Sequence, residues 1–101
     1  MTVSDWLDEK VAEKVDVSQI ELPANMAYDN DPDETIFFKE MNPCGLFCTE
    51  HHPFATVERF GHWYLSRGQD KKAGLHSSQM HWRLFTKDKN VALQTAKERI
   101  E

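Results

Sequence analysis

The stretch Pro53-Phe-Ala-Thr-Val-Glu-Arg-Phe-Gly-His-Trp-Tyr-Leu-Ser-Arg67 decides how the chain folds, because two periodicities compete within it. Wound as a helix, it puts Phe54, Val57, Phe60, Gly61, Tyr64 and Leu65 on one face. Thr56, Arg59, His62 and Ser66 then fall largely elsewhere. Pro53 suits a first helical position and Gly68 a C-terminal cap. Extended as a strand, it is rich in the β-forming types Thr, Val, Phe, Trp and Tyr, with Gly61 as a bulge. The alternating set Val57, Arg59, Gly61, Trp63 and Leu65 is not a clean apolar face, whereas the helical stripe is nearly continuous. The spacing therefore predicts a helix over 53–67, with a bulged strand as the competing reading.

Working outward, residues 68–78 read as a basic loop. Residues 79–85 read as a strand, with Met80, Trp82 and Leu84 alternating against His81, Arg83 and Phe85. Thr86 or Asp88 then caps a helix over 88–100, whose stripe is Ala92, Leu93, Ala96 and Ile100. Upstream, Val3, Leu7, Val11 and Val15 predict a helix over 4–15, with Trp6 beside the stripe. Residues 17–22 suit an edge strand ended by Pro23, and 23–34 form an acidic loop. Thr35–Met41 is β-branched and aromatic enough for a strand. A turn at Asn42–Gly45 would return it as a strand over 46–50. The fold class is α+β: a small antiparallel sheet (35–41, 46–50, 79–85) with helices at both ends, in a single domain over 1–101.

With 101 residues, 40% of them hydrophobic and 29% charged, the chain matches one ordinary globular domain. No apolar run approaches the roughly 20 residues a membrane span needs. The first 14 residues are acidic and amphipathic, unlike a secretory leader, so a cytoplasmic location is expected. The net charge of −5 is unevenly spread. Residues 1–58 carry three basic and thirteen acidic side chains, and residues 59–101 carry nine basic and four acidic. Such a split means either pairing between the halves or a charged partner for one of them.

Several constellations suggest chemistry. Cys44, Cys48, His51 and His52 read C-x3-C-x2-H-H, with His76 and His81 downstream, a donor set suited to a structural zinc. Buried thiols needing no metal are the plainer reading, and no cofactor is the expectation. Asp29, Asp31, Asp33 and Glu40 match four positions of a calcium loop, but Glu34 stands where its sharp turn needs Gly. Cys48 with His51 or His52 and Glu50 supplies a nucleophile, base and carboxylate in name only, and a non-enzyme is expected.

Two binding surfaces remain. Arg59, Trp63, Arg67, Lys71, Lys72 and Arg83 form a basic aromatic set able to contact phosphates and stack on bases. Asp29, Asp31, Asp33 and Glu34 form an acidic face able to dock a basic protein. The favoured expectation is a non-catalytic recognition protein that binds a protein partner through this acidic face. A regulatory or inhibitory role would fit, as in small acidic proteins of phages and mobile elements. Nucleic-acid binding by the basic half, with or without zinc, is the alternative.

Overall fold

A computed structural model describes residues 1–40, 54–69 and 81–100. The order of elements is α1 (Val3–Ala12), α2 (Ala24–Asp29), β1 (Glu34–Glu40), β2 (Phe54–Phe60), β3 (Trp63–Gln69), β4 (His81–Thr86) and α3 (Lys89–Ile100). The four strands form an antiparallel sheet in the order β1-β2-β3-β4. The α+β architecture with a helix at each end follows the expectation.

The predicted helix over 53–67 is instead the central hairpin. Phe60 pairs with Trp63, leaving Gly61 and His62 as a two-residue loop. Gly61 has φ of +62°, which a glycine at the first loop position adopts without strain in a tight hairpin turn. The turn resets the alternation: Phe60 and Trp63 are opposite one another and share a face. A test for one uninterrupted strand thus mixes the two faces beyond Gly61 and makes a good hairpin look poor. Gly68, expected as a helix cap, lies inside β3 opposite Ala55, where a Cβ would collide with the backbone of Phe54 and Ala55.

Each sheet face packs its own core. Ala55 and Val57 meet Ala92, Ala96 and Ile100 of α3, with Phe37, Tyr64 and Trp82 around them. The small alanines let helix and sheet approach closely. Asp88 Oδ1 accepts from the Asn90 and Val91 amides at 2.9 and 3.3 Å and so caps α3. On the other face, Phe60, Trp63, Leu65 and Phe85 meet Val3, Leu7 and Val17, with Trp6, Ile20, Leu22 and Met26 alongside.

Several boundaries differ from expectation. Helix α1 stops at Ala12, and Lys14 takes a left-handed φ of +64°. Val11 and Val15, counted in the apolar stripe, are therefore exposed. Residues 17–22 form no strand, although Ser18 O accepts the Phe85 amide at 2.9 Å beside β4. The acidic loop begins with the short helix α2. The antiparallel partner of β1 is β2, and the expected strand over 46–50 lies outside the described residues.

Candidate functional site

The acidic run divides in two. Asp33 and Glu34 are held by Arg59, at 3.5 and 3.4 Å. Asp33 Oδ2 also accepts the Gly61 amide at 2.6 Å, and its own amide donates to Arg59 O at 2.8 Å. These two carboxylates therefore lock the lead-in of β1 against the β2–β3 turn, while keeping solvent-facing surface. Asp29 and Asp31 are exposed and have no ion-pair partner among the described residues.

The basic set is largely engaged within the fold. Besides Arg59, Arg67 pairs with Glu58 at 3.0 Å and Arg83 reaches Glu21 at 3.8 Å. Lys87 stands 3.8 Å from Asp8 and 5.0 Å from the Trp63 ring centre. Much of the charge asymmetry is thus answered by pairing across the two halves. Trp63 is core, 4% exposed, with its indole N–H donating to Asp8 Oδ1 at 3.0 Å, so it presents no free ring for a base. Lys71 and Lys72 lie outside the described residues.

The same holds for Cys44, Cys48, His51, His52 and His76. His81 opens β4, but its side chain lies outside the description. Among the described residues no cluster of His, Cys, Asp or Glu is arranged to hold a metal ion, the acidic run of 29–40 included. Nor is any described helix long and apolar enough to cross a membrane.

Two features were not anticipated. The first is β1, which among the described residues lies at the edge of the sheet and in which Glu34, Thr35, Phe38, Lys39 and Glu40 are exposed. Phe38 is 64% exposed, yet it lies opposite Thr56 on a sheet face whose other end is core. Beside it is a concavity of about 570 Å³ reaching Phe54, Glu58, Arg67 and Arg83. A bulge at Ile36, between the Thr35 and Phe37 pairings, turns Ile36 and Phe37 toward the α3 core and leaves Phe38 outside. The run Ile36-Phe37-Phe38 reads as uniformly apolar in sequence, and only the register identifies its exposed member.

The second is a relay between α1 and the β2–β3 turn. Ser4 Oγ is 3.0 Å from His62 Nδ1, and His62 Nε2 is 2.9 Å from Asp8 Oδ1. Ser4 and Asp8 are one turn apart on α1, so both face the same side. The hydrogen bonds from His62 and then Trp63 hold the Asp8 carboxyl below its ordinary pKa. The serine–aspartate spacing is visible in sequence, but His62 joins it only through the hairpin.

No family model matches the chain, and no curated protein or solved structure is significantly similar to it.

Proposed function

We propose that the protein recognises another protein through β1 and the acidic segment leading into it. The exposed Phe38 is the observation that carries this reading. A large aromatic standing out from an edge strand is costly in water and suits the buried centre of an interface. Asp29 and Asp31 precede the strand, and Glu34 and Glu40 lie along it, giving that centre an acidic rim. Such a rim favours a partner with a basic surface around an apolar pocket, and raises the rate of encounter. The strand's charged residues also discourage self-pairing at the edge, a role compatible with recognition of a different chain. A regulatory or inhibitory role suits a small domain of this kind.

The test is comparative capture from an extract using the wild type, Phe38→Ser and Asp29→Lys/Asp31→Lys. Neither variant touches a buried contact or the Arg59 pairs. A specific partner is held by the wild type and lost by both variants. Equal capture by all three would remove the reading.

A second reading has one observation behind it: the concavity beside Phe38 joins two phenylalanines with Arg67 and Arg83, groups that hold single-stranded nucleic acid elsewhere. Both guanidinium groups already have carboxylate neighbours, which lowers their value for phosphate. Binding of single-stranded oligonucleotides that weakens steeply with salt and with Arg83→Ala would favour this reading.

A further inference from the structure

We propose that Ser4, His62 and Asp8 form a nucleophilic centre that accepts small acyl groups from neutral or cationic esters. The site borders the recognition surface, with Asp31 lying at the edge of both.

Three observations converge at the start of α1. The first is connectivity: one imidazole nitrogen meets the serine hydroxyl at 3.0 Å and the other meets the carboxylate at 2.9 Å. This is the order of contacts that lets a histidine withdraw a serine proton while a carboxylate fixes its tautomer. Asp8 is ionised and also bonded by the Trp63 indole, so toward His62 it can only accept, and His62 carries its N–H on Nε2. Nδ1 is then the free base facing Ser4. Lys87 near Asp8 adds a positive charge that keeps the carboxylate ionised.

The second is access. Ser4 lines a cavity of about 140 Å³ bounded by Thr2, Val3, Asp31, Phe60 and Gly61. Gly61 leaves the approach open, since a Cβ there would stand 2.9 Å from Ser4 Oγ. The third is a place for developing negative charge. The Asp5 amide is taken by Thr2 Oγ1 and the Trp6 amide by Thr2 O. The amides of Val3 and Ser4, at the positive end of the ten-residue helix, have no acceptor among the described residues.

In the reaction, Ser4 Oγ bonds to the ester carbonyl carbon as its proton passes to His62 Nδ1. The carbonyl electron pair moves to oxygen, beside the Val3 and Ser4 amides. Collapse breaks the bond to the leaving alcohol, which takes the proton from Nδ1 and leaves an acyl-serine. Water then adds by the same route, releasing the carboxylic acid and restoring Ser4. The small cavity selects acetyl-sized acyl groups. Asp31 and Asp33 at its wall repel anionic esters.

The test uses the full chain with p-nitrophenyl acetate, following phenolate release and mapping the acetyl group by peptide mass analysis. Acetylation of Ser4 is expected. Ser4→Ala and His62→Gln should slow phenolate release by on the order of 100-fold, the range for loss of a nucleophile or general base. Ser4→Cys should retain acylation. A hemisuccinate ester should react more slowly than the acetate. Circular dichroism checks that each variant is folded. Undiminished release by folded Ser4→Ala overturns the proposal. So does a folded wild type that is acetylated only on lysines, His62 or the N-terminus, or not at all.

Discussion

Replacing Leu7 by Ala should destabilise the domain by about 3 kcal/mol, whereas Val11→Ala should change stability by less than about 0.5 kcal/mol. Both residues belong to one apolar stripe in the sequence, so a uniformly docked helix would make both substitutions costly. In the structure Leu7 is 0% exposed among Phe60, Trp63, Leu65 and Phe85, while Val11 is 44% exposed. Leu→Ala removes three carbons, about 2.4 kcal/mol at roughly 0.8 kcal/mol per buried carbon, and the unfilled space adds to that. Val11→Ala removes little buried surface and improves helix propensity. For a domain of this size, 3 kcal/mol lowers Tm by about 12–24 °C. Urea and thermal melts followed by far-ultraviolet circular dichroism measure both. Equal losses from the two substitutions would refute the docking of α1 by its first two turns.

Four other outcomes follow from particular contacts. Gly68→Ala should prevent or severely weaken folding, because the new Cβ would force β2 and β3 apart; a melting profile like that of the wild type would contradict the β2–β3 register. Ser66→Ala should be neutral or stabilising by up to about 1 kcal/mol, since the Ser66 hydroxyl is fully buried and has no hydrogen-bond partner among the described residues. Asp88→Ala should cost about 1 kcal/mol through loss of the α3 cap, and Asp88→Asn much less. The Asp8 carboxyl is depressed below its usual value, so its stabilising contribution is present above that value and lost as pH falls through the depressed one. Urea melts between pH 7 and pH 3 should accordingly show a shallower acid loss in Asp8→Asn than in the wild type.

The legibility of the chain tracks how local each signal is. The strands expected over 35–41 and 79–85 and the helices expected over 4–15 and 88–100 are present, differing only at their ends, because residue type, periodicity and caps act within short windows. The central hairpin does not, because Gly61-His62 reverses the chain within a run whose apolar spacing also fits a helix. Its identity rests on the positive φ at Gly61 and on non-local pairing with β1 and β4. The acidic and basic sets are plain as sequence, but their use depends on topology. Arg59 reaches Asp33 and Glu34 only because β1 and β2 are neighbours, which converts half of a proposed docking face into an internal clamp. Trp63 likewise changes from a candidate stacking surface to core once it sits opposite Phe60. The relay of Ser4, Asp8 and His62 is legible only as a helical pair until the hairpin delivers the imidazole.

The recognition role of β1 is tested most directly by measuring, with quantitative mass spectrometry, what the wild type, Phe38→Ser and Asp29→Lys/Asp31→Lys each retain from nuclease-treated extract. The expected result is a protein with a basic surface, enriched on the wild type and depleted together on both variants. Retention of the same proteins by all three, or loss of all binding after nuclease treatment alone, would contradict it.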